Sequence, residues 1–216
     1  MVAPVVSPAT RLGWRTEARV SGQRRSRLGP YTATDLRGLP GGGKGYELED
    51  GWLVEVVSGA RHNHVAQRLG RFIDAGAVGA SVHLCVGSGW EISTRSGVRK
   101  PDIIVVPREV ARAAVVAEVP KLIPGTEVRL AVEVIAPGSG TERTDRVRKV
   151  HEYAAAGIPQ YWIVEHQPDV QVHRMVLSDG TYGADPVVGP GVVFDAVVEA
   201  DQPFRVTFDP AALLAV

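Results

Sequence analysis

The chain has 216 residues, 44% of them hydrophobic and 22% charged, with one cysteine. That length is enough for a domain with a substantial core, in the composition range of globular proteins. No apolar run approaches the ~20 residues of a membrane span. No apolar N-terminal stretch of the secretory kind is visible, and Cys85 alone excludes an intrachain disulfide, so a reducing, cytoplasmic setting is expected. The formal charge of zero hides an asymmetry: residues 1–30 carry six arginines against Glu17, a net of +5, while the rest carries 18 basic and 23 acidic residues, a net of −5. This first segment, rich in Arg, Ser, Gly and Pro, is expected to be a disordered basic arm. The mildly acidic body excludes a large basic surface, so any nucleic-acid contact there must be a local groove.

In chain order, Thr34 is placed to cap a short helix over Asp35–Leu39, and "PGGGKG" (40–45) then breaks the chain. "YELEDGWLVEVV" reads as a β-hairpin turning at Asp50-Gly51. Val65, Leu69, Phe72 and Ile73 then recur at helical spacing, with His62 and His64 at the start; two residues apart, these histidines do not share a helix face. Strands are expected over 81–86, 89–93 and 103–106, a short helix over 110–118, and a dry strand over 128–135. The loop "APGSGTERTD" leads to a helix whose apolar stripe is Val147, Val150 and Ala154, stopped by Gly157 and Pro159. Tyr161–Val164 completes a βαβ unit, which requires two parallel strands. Alternation around Val170 and Val172, and again at Phe204, Val206 and Phe208, predicts antiparallel strands, with a turn at Ser178-Asp179-Gly180. The fold class is α/β: a central mixed sheet flanked by helices, with extra antiparallel strands towards the C-terminus.

One residue in the dry strand does not fit its neighbours. Glu133 stands among Leu130, Ala131, Val132, Val134 and Ile135. A carboxylate in such a strand must be paired, protonated or bound to a metal. Asp102 opens the strand at 103–106 behind Pro101. If these two strands are neighbours, both carboxylates converge on one point. Two carboxylates with few other hard ligands suit Mg²⁺ or Mn²⁺. Lys149, near the start of the helix after the Glu133 strand, could reach back to orient an attacking water and offset charge on a phosphate. Its competing role is a surface ion pair with Asp145 four residues earlier. Arg99 and Lys100 fit phosphate contact and solvation equally, whereas His151 and His166 are expected to be exposed beside charged neighbours.

"RKPDIIVV", "AVEVIAP", "TDRVRKVHEYAAAGIPQYWIVE" and "YELEDGWLVE" together resemble the Uma-two family of restriction-type endonucleases, within the PD-(D/E)XK nuclease superfamily. The resemblance spans residues 32–212 and implies a nuclease-like domain over 31–216 with a restriction-endonuclease-like sheet. It implies a DNA endonuclease using Mg²⁺ or Mn²⁺, with Asp102 and Glu133 as metal ligands, the Val134 carbonyl as a further ligand, and Lys149 as the catalytic lysine. Glu47 matches the family's glutamate in "YEL" and joins the acidic set. Ile135 stands where the superfamily has its lysine, and the family's alternative position on the next helix is Lys149. Ala136 replaces a frequent serine and Glu165 a usual aspartate, so a catalytically inactive nuclease fold that binds nucleic acid or protein is the alternative. A homodimer is compatible with the resemblance.

Overall fold

The computed structural model describes residues 29–216 except 57, 88 and 119–121. The expected basic arm lies outside the described residues, apart from Gly29 and Pro30. Helix α1 (Ala33–Arg37) begins with a capping box in which Thr32 and Asp35 each bond the other's backbone N–H. The cap is therefore Thr32 and not Thr34: extended backbone at Thr32 lets its hydroxyl reach the third helical residue. Strands β1 (Tyr46–Glu49) and β2 (Trp52–Glu55) form the expected hairpin, with positive φ at both Asp50 and Gly51. Helix α2 (Ala60–Gly76) buries Val65, Leu69 and Ile73, as its spacing predicts. Strand β3 (Val82–Val86) follows, and then β4 (Ile92–Thr94) and β5 (Gly97–Arg99), a hairpin that periodicity did not resolve. Next come β6 (Ile103–Pro107), helix α3 (Arg108–Val116), the two-residue β7 (Ile123–Pro124) and β8 (Leu130–Ile135).

Beyond β8 a helical segment carries a π turn over Thr144–Arg148 and continues as α4 (Lys149–Ala155). Strands β9 (Gln160–Glu165), β10 (Gln171–Ser178), β11 (Thr181–Ala184), β12 (Phe194–Val198) and β13 (Phe204–Phe208) complete the chain. Six strands form the central mixed sheet in the order β11-β10-β9-β8-β6-β3, where β8 and β9 run parallel and the other pairs antiparallel. A second sheet, β2-β1-β5-β4-β7, carries the N-terminal hairpin, and β12–β13 form a separate hairpin packed on α2.

The two faces of β8 have different surroundings. Leu130, Val132 and Val134 face a core shared with Val65, Leu69, Ile73, Trp162, Phe194, Val206 and Phe208. Ala131 and Ile135 face a second core with Tyr153, Ile158 and Tyr161. The period of two puts Glu133 on this second face, beneath α4.

Candidate active site

The antiparallel register of β6 and β8 pairs Ile103 with Val132. Continued by one residue, it sets Asp102 opposite Glu133, so the two strands are neighbours. Asp102 Oδ2 accepts from the Val134 N–H at 2.7 Å, and its Oδ1 meets His62 Nε2 at 2.8 Å. A cavity of about 320 Å³ opens here, lined by Glu47, His62, Asp102, Glu133, Asp145 and Lys149 among others. All four side chains singled out in the sequence for chemistry, Asp102, Glu133, Lys149 and Glu47, reach this one cavity.

Glu133 is 5% exposed. Its Oε1 accepts from Lys149 Nζ at 2.8 Å and from the Tyr153 hydroxyl at 2.9 Å. Burial pushes its carboxyl well above the usual range; Lys149 counteracts this, while Asp145, Asp102 and Glu47 add to it. Lys149 also contacts Glu47 Oε1 at 3.1 Å and Asp145 Oδ1 at 3.0 Å. Burial alone would lower its ammonium pKa, but Glu133, Glu47 and Asp145 outweigh that and hold it well above normal. The expected Asp145–Lys149 pair therefore exists, but it is buried and shared with two more carboxylates.

The helix presents a polar stripe to the sheet: Asp145, Lys149 and Tyr153 are all buried. Val147, expected inside, is 48% exposed, and Val150 is half-buried. Val147 lies within the π turn, where an extra residue per turn rotates the face the helix presents. The Tyr161 hydroxyl donates to the Asp145 carbonyl at 2.9 Å and fixes this turn against β9.

Glu47 is 2% exposed, buried in place of the solvated hairpin position that alternation allows. It accepts from the Lys100 N–H at 2.8 Å, from Lys149, and from Arg99 at 3.2 Å. Burial raises its pKa, and Lys149 and then Arg99 reverse that, so Glu47 is held below its ordinary value. Arg99 corrects both readings of its sequence position. It is fully buried and bonds Glu47, Glu49 and Glu152, facing neither phosphate nor solvent. Lys100 is buried too, with Nζ on the Gly43 carbonyl at 2.7 Å and near Glu91 at 3.1 Å. The tight β1–β5 pairing behind this network requires Gly97: its φ is +147°, and a Cβ there would lie 2.3 Å from the Leu48 carbonyl oxygen.

Two histidines missed as site residues also line the cavity. His62 lies against Asp102; burial lowers its pKa, but the bond to Asp102, that group's charge and Asp145 raise it overall. His166, expected to be exposed, is 7% exposed; its N–H continues the parallel β8–β9 ladder by bonding the Ile135 carbonyl at 3.2 Å. The two rings meet edge to face at 6.2 Å. His151 is exposed, as expected. His62 sits forty residues from Asp102, and only a His in the first turn of an amphipathic helix hints at it.

The donors available to a metal are oxygens. Both hydrogen bonds to Glu133 fall on Oε1, and none among the described residues falls on Oε2. Since Val134 gives its N–H to Asp102, its carbonyl faces the same strand edge. Asp102, Glu133 and Val134 all line the cavity, and each carries oxygen atoms of the hard kind. Among the described residues no group of three or more His, Cys, Asp or Glu side chains stands in metal-holding geometry. Four carboxylates (Glu47, Asp102, Glu133, Asp145) and three cationic side chains (Arg61, Lys100, Lys149) line the cavity.

This architecture is a mixed α/β fold: the chain is similar to the crystal structure of "a putative nuclease belonging to DUF820" from Anabaena variabilis ATCC 29413, with a TM-score of 0.56 and 14% identity, over 86% of this chain and 98% of that one. No curated protein matches the sequence. The sequence pattern of Uma2, described as "Putative restriction endonuclease", matches residues 33–203, and the chain belongs to that family. No described helix is long and apolar enough to cross a membrane.

Proposed function

We propose that this protein is a divalent-metal-dependent endonuclease that hydrolyses DNA phosphodiester bonds, with Mg²⁺ or Mn²⁺ as cofactor. The carrying observation is the meeting of Asp102, Glu133 and Lys149 at one cavity, from adjacent strands and the helix that follows. The family description supports the reaction class. Asp102, Glu133 and the Val134 carbonyl are the groups that would hold the ion. A bound divalent ion supplies Lewis-acid polarisation of a phosphoryl oxygen and a more acidic water.

The chain's own residues do the rest. Lys149, with its raised pKa, stays protonated at neutral pH. Its three N–H donors go to Glu133, Glu47 and Asp145, so it acts through its positive charge, offsetting negative charge on the attacking water and the phosphoryl oxygens, and does not take the water's proton. Glu47 accepts from the Lys149 ammonium, and Arg99 and the Lys100 N–H hold Glu47. Tyr153 fixes Glu133 Oε1, which aims the carboxylate's second oxygen. Cutting both strands of a duplex calls for two such sites, so a homodimer belongs to this proposal.

One observation favours a second reading, a catalytically inactive nuclease fold that binds nucleic acid or protein. Lys149 already gives Glu133, Glu47 and Asp145 an ionic partner without any metal. Nicking of supercoiled DNA with Mg²⁺, Mn²⁺ and Ca²⁺, beside the Asp102→Ala protein, decides between them. Ion-dependent nicking by the wild type and none by the variant is the expected result. No nicking with any ion, and no thermal shift on adding Mn²⁺, would leave the binding module.

A further inference from the structure

Buried polar atoms nearly always find a hydrogen-bond partner, and each one that does not is costly. Among the described residues the unpartnered buried side-chain atoms are Ser139 Oγ and His166 Nδ1. Both residues line the cavity that holds Glu133 and Lys149. They reach it from different elements: Ser139 from the loop after β8, His166 from the turn after β9. The His166 N–H to the Ile135 carbonyl ties the ends of these two parallel strands together. The carboxyl ends of parallel strands are where α/β sheets take their ligands.

We infer that Ser139 Oγ and His166 Nδ1 form a subsite that grips a phosphodiester oxygen of the nucleic-acid substrate, beside the acidic centre. This rests on the nuclease reading for the identity of the ligand. The acidic centre, Glu47, Asp102, Glu133 and Asp145, repels an anion, so the substrate backbone needs donors of its own. A phosphodiester oxygen only accepts hydrogen bonds. The Ser139 hydroxyl donates, and a neutral imidazole with its proton on Nδ1 donates as well. Burial, and then the charges of His62 and Arg61, hold the His166 pKa below its ordinary value against the opposing contact with its own backbone, and this favours the neutral ring. Arg61 lines the same cavity and adds the positive charge that an anion seeks.

The test uses the full chain and a fluorescein-labelled twelve-residue oligothymidylate, titrated in EDTA so that no cleavage occurs. His166→Ala and Ser139→Ala are each expected to weaken binding about five- to tenfold. His166→Asn, whose side-chain amide can present an N–H near the Nδ1 position, recovers most of the loss. In nicking assays the alanine variants raise KM more than they lower kcat. Ser139 lies on a loop, so Ser139→Ala keeps the test valid if His166→Ala unfolds. Wild-type protein that does not bind the oligonucleotide, or alanine variants that bind it as tightly as the wild type, overturns the subsite. If the wild type nicks DNA and both variants keep its KM, the subsite fails and the nuclease reading stands. If the wild type cuts nothing but the variants bind more weakly, the subsite stands and the nuclease reading fails.

Discussion

The two faces of the central sheet are equally buried and differently built. On one side, α2 and the β12–β13 hairpin enclose Leu69, Ile73, Trp162, Phe194 and Phe208 in an apolar core. On the other, between α4 and the N-terminal hairpin, Glu47, Glu49, Arg99, Asp145 and Lys149 are buried side by side with Tyr153 and Tyr161. Apolar burial stabilises the first at about 25 cal/mol per Å². In the second, ion pairing has to offset desolvation, which at best comes out near even. The lesson is that one face is built of apolar packing, while the other sets a buried charge network beside its own apolar core.

Truncations test this division most severely. Phe194→Ala should cost about 3–5 kcal/mol of stability and leave the nicking rate per folded molecule unchanged. Arg99→Ala should cost a similar ~3–5 kcal/mol, because it strands Glu47, Glu49 and Glu152, and should lower nicking as well. Chemical denaturation together with a nicking assay on the folded fraction measures both. An Arg99→Ala protein that nicks at the wild-type rate would break the comparison.

Next in size is Glu133→Gln. It should abolish Mn²⁺-dependent nicking and remain folded. The sign of its pH effect follows from burial. The folded-state pKa of Glu133 is raised, so its stabilising contribution is complete below its unfolded value of ~4.3 and is lost as pH rises through the folded value. The neutral amide escapes that loss. Without divalent ions, Glu133→Gln should therefore gain stability relative to wild type as pH rises, seen as diverging melting temperatures.

Divalent ions should act more modestly. At an Mn²⁺ concentration 100 times Kd, linkage stabilises the fold by about 2.7 kcal/mol, and Asp102→Ala should remove the shift. The smallest effect concerns His62. Its pKa is raised, so its pairing with Asp102 stabilises the protein below ~6.5 and fades as pH rises through the folded value. Asp102→Asn should flatten that part of the pH–stability curve, measured in EDTA.

Much of the architecture follows from local pattern. Asp50-Gly51 announces its hairpin because both residues tolerate positive φ. The spacing of Val65, Leu69 and Ile73 fixes the buried face of α2, and alternation at Phe204, Val206 and Phe208 fixes that of β13. Glu133 is conspicuous because its strand neighbours are all apolar, and Asp102 because it opens a dry strand. The expected strand over 89–93 meets β4 only in part, and β5 escaped notice because three residues are too few to display a period.

Sequence by itself determined which segments become strands and helices and which carboxylates are out of place, since both depend on neighbours within a few residues. Tertiary structure alone decided what those carboxylates meet. The π turn that swings Asp145 and Lys149 inward and leaves Val147 outside, the burial of Arg99, and the convergence of His62 and His166 all depend on contacts between distant elements. A charge's cost is set by the medium around it, and only the folded chain creates that medium.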